Sequence, residues 1–159
     1  MKQHRRRVTR ALALALALAC AALDAQALFT INEPWVRVAA DGRSAEAYMR
    51  LTSTEGAKLV SAASFAADRV VIRAPGPGRG TVTELVLPAS QRVELAPGKY
   101  RIQLDGLTRK VGLGARIPLS LTIRHDDGRL QEIAVDAEVR LRSPTDDESH
   151  PHQPAGHTH

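Results

Sequence analysis

Apolar and polar residues alternate with a period of two along most of the chain after residue 27, the pattern of half-buried β-strands. The alternation is clearest in residues 117–139, where two alternating runs flank Asp126-Asp127-Gly128. This triplet is typical of a hairpin turn, because glycine accepts the positive φ that other residues resist. No stretch of ten residues holds the 3.6-residue apolar stripe of a helix. The sequence therefore predicts an all-β domain.

The alternating segments predict eight or nine short strands joined by turns. The expected strands before the hairpin are Phe29–Ile31, Trp35–Ala39, Ala45–Ser53, Leu59–Ser64, Arg69–Arg73, Thr81–Leu87 and Arg92–Leu95. Within Ala45–Ser53 the alternation directs Met49 into the core and Tyr48 toward solvent. Residues 74–80, rich in proline and glycine, are expected to form an irregular loop. Short strands at this spacing without a helix favour a Greek-key β-sandwich or barrel.

Residues 93–107, with the sequence VELAPGKYRIQLDGL, are expected to form a strand, a turn at Pro97-Gly98 and a second strand. On the second strand Tyr100, Ile102 and Leu104 share the inward face. Arg101 and Gln103 then project outward together. This outward pair is either an ordinary solvated face or half of a binding site.

The first 27 residues have the composition of a signal peptide. Basic residues precede an uncharged run from Ala11 to Leu23, and Ala25-Gln26-Ala27 matches a cleavage site before Leu28. The run is too short to span a bilayer and no second apolar segment follows, so a periplasmic protein is expected. Cys20 offers an alternative, a lipid-anchored form, although Ala17 stands where that motif usually has leucine.

Composition changes again after Arg142. Residues 143–159 contain no aliphatic residue larger than alanine and are expected to form a disordered tail. The folded domain is therefore assigned to residues 28–142, enough for one hydrophobic core. The only cysteine precedes this domain, so no disulfide or thiolate site is expected within it.

The net charge of +5 belongs mostly to the predicted signal peptide. Removal of residues 1–27 subtracts five of 22 basic and one of 17 acidic residues, which leaves 17 minus 16, or +1. A nearly neutral chain with few aromatic residues lacks the charge and the stacking surfaces that nucleic acids require. We therefore expect no nucleic-acid partner.

Several short motifs resemble the periplasmic copper chaperones called PCu(A)C. These motifs are Glu33-Pro34-Trp35-Val36-Arg37, Ala47-Tyr48-Met49-Arg50-Leu51, Leu87-Pro88-Ala89, Leu95-Ala96-Pro97-Gly98-Lys99-Tyr100, Asp105-Gly106-Leu107 and Ile117-Pro118-Leu119-Ser120-Leu121-Thr122. They occur in the family's order over nearly all of residues 28–139. The resemblance implies a cupredoxin-like β-sandwich and a role in copper handling.

The family's Cu(I) ligands, two histidines and two methionines, are not matched in this sequence. The resemblance places Arg73 and Arg101 at the two histidine positions and Gln103 at one methionine position. Thr83 or Glu84 is nearest to the other methionine, in a segment shorter than the family's. Guanidinium has no lone pair to donate to a cation. The resemblance thus implies a degenerate barrel site, and Arg73, Arg101 and Gln103 become candidate partner-binding residues.

The tail supplies other candidate metal ligands, the imidazoles of His150, His152, His157 and His159. Imidazole suits Cu(II) and Zn(II), so capture of one of these ions by the tail is expected. Binding of Cu(I) in the barrel is less expected, because the family's thioether ligands are not matched there. The alternative is a solubilising tail that happens to be rich in histidine.

No catalytic constellation is apparent, so we expect a binding protein and not an enzyme. His125 lies beside Asp126 and Asp127, but turn chemistry accounts for these residues. The leading hypothesis is a monomeric, extracytoplasmic copper-binding protein that delivers or buffers copper for a periplasmic cuproprotein or an oxidase assembly factor. The alternative is a metal-free β-sandwich interaction module.

Overall fold

The computed structural model describes residues 28–76 and 80–144. The predicted signal peptide and the four tail histidines lie outside these ranges. The strands are β1 (Phe29–Val38), β2 (Ser44–Ser53), β3 (Ala57–Ala63), β4 (Ala67–Arg73), β5 (Thr81–Val82), β6 (Leu85–Leu87), β7 (Arg92–Leu95), β8 (Arg101–Leu107), β9 (Arg116–His125) and β10 (Leu130–Val139). Among the described residues no helix is long and apolar enough to cross a membrane.

The strands form one curved sheet in the order β5-β4-β8-β2-β1-β10-β9-β3-β6, with β7 also paired to β2. The pairing of β1 with β10 is parallel, and the other neighbours in this order are antiparallel. Strands β3 and β4 approach each other and nearly close the sheet into a barrel. The all-β prediction is therefore confirmed, and the hairpin between β9 and β10 turns at the predicted Asp126-Asp127-Gly128.

The barrel interior is filled by aliphatic side chains that point inward from alternate strand positions. On β9, for example, Ile117, Leu119, Leu121 and Ile123 are all buried, as alternation predicted. Met49 retains only 2% of its surface exposed and belongs to this core, so its predicted inward orientation is confirmed. Burial of this apolar surface supplies the main driving force for folding.

Two predicted strand boundaries differ from the structure. Phe29–Ile31 and Trp35–Ala39 form one strand, β1, whose pairing with β2 shifts between Asn32 and Trp35. Pro34 cannot donate a ladder hydrogen bond, and a bulge with Glu33 at φ +50° accommodates it without ending the strand. Conversely, the predicted strand Thr81–Leu87 is two strands, β5 paired to β4 and β6 paired to β3.

The strand, the turn at Pro97-Gly98 and the second strand are confirmed, but β7 and β8 do not form a hairpin ladder with each other. Strands β7 and β8 both run antiparallel to β2, one after the other along the same side of it. Met49 pairs with Leu95 and Ala47 pairs with Ile102, so β2 advances two residues while the facing chain advances seven. Residues 96–100 are therefore a five-residue excursion within one strand path. Local turn chemistry could not distinguish the two arrangements, because Pro-Gly suits either.

The structure also defines the surroundings of two side chains. Tyr48 was expected to face solvent, yet it is fully buried, because Trp35 packs on its ring and Arg37 lies over it. His125, which the sequence places beside the hairpin turn, is the last residue of β9 and is only 9% exposed. Its Nε2 atom lies 2.9 Å from the Gln131 side-chain oxygen.

Candidate functional site

Arg73 and Arg101 lie directly opposite each other on the neighbouring strands β4 and β8. Side chains at directly paired positions of an antiparallel ladder project from the same face, with Cβ atoms about 5 Å apart. Because Ile72 and Ile102 are buried in the core, the two arginines occupy the outer face of the barrel. The structure thus brings together two of the three predicted partner-binding residues.

Arg101 is held in place by contacts within the protein. Its Nε atom lies 2.8 Å from Glu46 Oε1, an ion-pair distance, although the Nε–H is not aligned with that oxygen for a hydrogen bond. A terminal guanidinium nitrogen donates to the carbonyl oxygen of Ala74 at 3.2 Å. Only 20% of the Arg101 side chain is exposed. Arg101 therefore offers less free surface than the sequence suggested.

Glu46, on β2, is the centre of a polar network on this face. Its Oε2 atom accepts a hydrogen bond from Arg37 at 2.9 Å and another from the Tyr48 hydroxyl. Arg37 also donates to the Tyr48 hydroxyl oxygen at 2.9 Å. With Arg101 on its other oxygen, this one carboxylate faces two guanidinium groups. The network therefore holds one negative and two positive charges.

The network shifts the ionisation of its acidic members. Burial alone would raise the pKa of Glu46, but hydrogen bonds from Tyr48 and Arg37 and the charges of Arg101 and Arg37 outweigh it, so this pKa is lowered. Burial, followed by the hydrogen bond to Glu46, raises the pKa of Tyr48 well above its usual value of 10.0. At neutral pH Glu46 is therefore ionised and Tyr48 is a hydrogen-bond donor.

Gln103 lies two residues beyond Arg101 on the same face of β8. Its register partners are Val71 on β4 and Glu46 on β2. The Gln103 side-chain nitrogen donates to Asp105 Oδ1 at 3.0 Å. The amide is therefore oriented along its own strand.

Arg73 differs from Arg101 in having no balancing group in the described part of the chain. None of the ion pairs or side-chain hydrogen bonds recorded among residues 28–76 and 80–144 involves Arg73. Its side chain is partly buried, and its other cross-strand neighbour is Thr81 on β5. Arg73 is therefore free to meet an external anion.

The donor atoms on this face do not fit a copper ion. The positions that correspond to the family's copper ligands carry two guanidinium groups and one amide. Neither Arg73 nor Arg101 can bind a cation, because a guanidinium group stays protonated and has no lone pair to donate. Glu84, near the expected loop ligand, instead contacts Lys58 and Arg124 on the β3 and β9 side of the barrel. Among the described residues there is no group of three or more His, Cys, Asp and Glu side chains that could hold a metal.

Sequence reasoning missed the contribution of Trp35, Tyr48 and Arg37 to this face. Trp35 and Tyr48 are paired across β1 and β2, and their ring centroids are 4.6 Å apart. The Arg37 guanidinium carbon lies 5.6 Å from the Tyr48 ring centroid, within cation–π range. The sequence does indicate this contact, because two large aromatic residues at outward positions of adjacent strands can bury each other.

A cleft of about 550 Å³ opens beside this aromatic pair. It is lined by Trp35, Arg50, the start of the excursion at Ala96 and Pro97, and the chain after β10 at Leu141. Arg50 and Glu33 form an ion pair of 2.8 Å at its wall. None of Arg73, Arg101 and Gln103 lines it, so the cleft and the arginine pair are separate features of the surface.

Solved structures of copper-protein domains share this fold. The chain superposes on the apo PCuAC domain of PmoF1 with a TM-score of 0.62 and 22% identity, covering 72% of this chain and 94% of that domain. The copper-bound PCuAC domain of PmoF2 gives a TM-score of 0.60 and 21% identity over 72% and 93% of the two chains. The Cu(I) form of DR1885 from Deinococcus radiodurans gives 0.54 and 28% identity over 77% and 85%.

Sequence comparison identifies the family. No curated protein matches the chain significantly. A family model described as "Putative lipoprotein LpqE-like" matches residues 29–139, which contain every strand of the barrel from the start of β1 to the end of β10. The chain therefore belongs to the LpqE-like family, with a β-barrel of the PCuAC type.

Proposed function

We propose that this protein binds copper outside the cytoplasm in a chaperone-like role, and that it holds the ion in its C-terminal tail and not in its barrel. Membership in the LpqE-like family and likeness to the Cu(I) form of DR1885 support the copper role. One observation supports placing the ion outside the barrel. The outer-face positions that correspond to the family's copper ligands are occupied by Arg73, Arg101 and Gln103.

The tail has the chemistry that the barrel lacks. His150, His152, His157 and His159 fall within ten residues and follow three consecutive acidic residues, Asp146, Asp147 and Glu148. Neutral imidazole binds Cu(II) and Zn(II), whereas protonated imidazole does not. Metal binding by the tail should therefore weaken as the pH falls below about 6.5. These residues lie outside the described part of the structure.

A tail-bound ion suits delivery or buffering. Ligands on a short terminal segment exchange an ion with a partner more readily than ligands buried in a core. The acceptor would be a periplasmic cuproprotein or an oxidase assembly factor, and the protein would act as a monomer without catalysing a reaction.

Two protein forms test the placement of the metal. Residues 28–159 and residues 28–144 share the whole buried core, so both should fold. Each is titrated with Cu(I), Cu(II) and Zn(II) at neutral pH. We expect Cu(II) binding with a dissociation constant below about 1 μM for the longer form only. Binding by both forms would place the site in the barrel, and binding by neither would refute the copper role.

The second candidate is a metal-free interaction module that uses Arg73, Arg101 and Gln103. The unbalanced charge of Arg73 favours it, because a partly buried guanidinium without a carboxylate is suited to an acidic group of a partner. A pull-down of periplasmic proteins with the wild type and with Arg73→Ala distinguishes the two candidates. Loss of a specific partner, with Cu(II) binding unchanged, would support the interaction module.

The two proposed mature forms of the protein differ in membrane attachment. Cleavage before Leu28 gives a soluble protein, and lipidation of Cys20 gives an anchored one. The description of the family as a lipoprotein family supports lipidation of Cys20 more strongly than the residues around Cys20 do by themselves. The mass of the mature protein purified from its native host would distinguish them.

A further inference from the structure

Four segments at one end of the barrel form a single cross-linked surface, which we name the basic loop end. It comprises residues 39–43, 64–66, 108–115 and 140–144. The backbone N–H of Thr108 donates to Ala66, that of Gly114 donates to Val139, and that of Arg140 donates to Val36. These hydrogen bonds hold the loops in fixed positions relative to the strands.

The basic loop end exposes three large apolar side chains. Phe65, Leu113 and Leu141 have 81%, 65% and 71% of their surface exposed. Leu113 and Leu141 line one open depression of about 510 Å³. Contact with an apolar partner would remove these side chains from water and so lower the free energy.

Phe65 is held outward by its neighbours. The Ser64 hydroxyl donates to the Pro118 carbonyl oxygen at 2.6 Å, and the Ala66 backbone N–H donates to the Ser64 oxygen at 3.2 Å. The carbonyl oxygen of Ala66 accepts two hydrogen bonds from Thr108. The exposure of Phe65 is therefore a property of a braced loop.

Four cations share the basic loop end with these apolar side chains. Arg43, Arg109, Lys110 and Arg142 lie on the basic loop end, and none takes part in an ion pair recorded for the described residues. Its one acidic residue, Asp41, accepts hydrogen bonds from the backbone N–H groups of Arg43 and Ser44. Arg140 is balanced by Glu138 at 3.1 Å. The surface thus carries four unbalanced positive charges against one negative charge.

The opposite end of the barrel has the reverse charge. There residues 54–56, 88–91 and 126–129 meet, as the bridge between Ser53 and Ala89 shows. These segments contain Glu55, Asp126 and Asp127 against Arg129. The barrel is therefore polarised along its axis, and a negative surface would attract the basic loop end and repel the acidic one.

We propose that the basic loop end docks on an anionic phospholipid surface, with Phe65, Leu113 and Leu141 entering the interface between headgroups and acyl chains. Apolar side chains on rigid loops surrounded by unpaired Lys and Arg residues provide the two components of such binding, insertion and headgroup attraction. The inference is independent of copper binding, since no tail histidine takes part in it.

Vesicle binding tests this inference directly. Protein comprising residues 28–159 is mixed with vesicles of phosphatidylcholine alone or of phosphatidylcholine with phosphatidylglycerol, and the bound fraction is measured by sedimentation. We expect binding to the anionic vesicles that weakens with added salt. Phe65→Ser and Leu113→Ser should each weaken it at least about fivefold, and Lys110→Glu by about tenfold.

The chain offers a matched control in Leu130, which has the same 65% exposure as Leu113 but lies beside the acidic end. Leu130→Ser should leave vesicle binding unchanged. The proposal would be overturned if Leu113→Ser and Leu130→Ser weakened vesicle binding equally, or if the wild type bound both vesicle types equally. Vesicle binding seen only in protein ending at Pro144 would also overturn it, because the acidic tail would then be the group that covers this surface.

Discussion

Arg73 and Arg101 face each other across the β4–β8 ladder, and within residues 28–76 and 80–144 only Arg101 of the two has a carboxylate, Glu46, close enough to balance its charge. Like charges at directly opposed positions destabilise an antiparallel pair. The network around Glu46 offsets this repulsion by drawing Arg101 toward β2. The stability of this face should therefore depend on Glu46 more than on either arginine.

Replacement of Glu46 by glutamine should destabilise the barrel. The change leaves Arg37 and Arg101 without a counter-charge and weakens the acceptor of the Tyr48 hydroxyl. We expect a loss of about 1–3 kcal/mol in the free energy of unfolding, measured by urea denaturation. The matched control is Glu84→Gln, which removes an exposed carboxylate that also contacts two cations, Lys58 and Arg124. That control should change stability little, and an equal effect of both changes would contradict the importance of the Glu46 network.

Glu46 should also contribute to acid unfolding. Its pKa is lower in the folded protein than the usual value of 4.5, so the unfolded chain binds the proton more tightly. The stability from this group is present above about pH 4.5 and is lost as the pH falls through the folded pKa. Urea midpoints measured from pH 6 to pH 3 should therefore fall more steeply in the wild type than in Glu46→Gln. Parallel profiles would show that Glu46 titrates alike in both states.

Tyr48 gives a spectroscopic test of the same network. Burial and the hydrogen bond to Glu46 raise its pKa, so its phenol should stay protonated well above pH 10 while the protein is folded. The unfolded chain releases this proton near pH 10.0, and the stabilisation is lost as the pH rises above that value. Ultraviolet absorbance during alkaline titration should show a late phenolate transition that Tyr48→Phe removes. An unchanged titration curve in the variant would contradict the buried assignment.

Alternation of residue types was sufficient to predict the fold class but not the strand path. Ile117 and Leu119 on β9 lie where a period of two places them, because burial of apolar surface dominates there. The excursion at residues 96–100 could not be predicted, since the pairing of β7 and β8 with β2 depends on contacts distant in sequence. Local sequence fixes turn propensity and leaves the choice of partner strand to tertiary packing.

The candidate site was predicted only in part, for a related reason. Resemblance to a copper family identified Arg73 and Arg101, and the structure places them in direct register. The role of Glu46 was missed because an outward glutamate on a strand is ordinarily solvated. Its importance follows from Tyr48 and Arg37, which reach it from the same strand and from β1.

Restoring two of the family's ligands should not restore a Cu(I) site. In Arg101→His with Gln103→Met, Arg73 still opposes position 101, and Glu84 still faces Lys58 and Arg124 on another part of the barrel. Two ligands on one strand leave Cu(I) undercoordinated and beside a cation. Competition of residues 28–144 against a chromophoric Cu(I) chelator should detect no tight binding. Tight binding by this double variant would show that the barrel retains further ligands.

Gly106, near the end of β8, should be the least tolerant of a side chain among the glycines of the described residues. It has φ +66°, and a Cβ atom there would lie 2.4 Å from Asp68 Oδ2 and 3.0 Å from Asp68 Cβ. Gly98, in the excursion, has φ +80° but no atom within 4 Å of the same added Cβ. The φ penalty of about 1 kcal/mol should apply to alanine at both positions, and only Gly106→Ala adds the clash. Urea denaturation should therefore show a larger loss for Gly106→Ala than for Gly98→Ala. Equal losses would mean that the exposed Asp68 side chain moves aside at no cost.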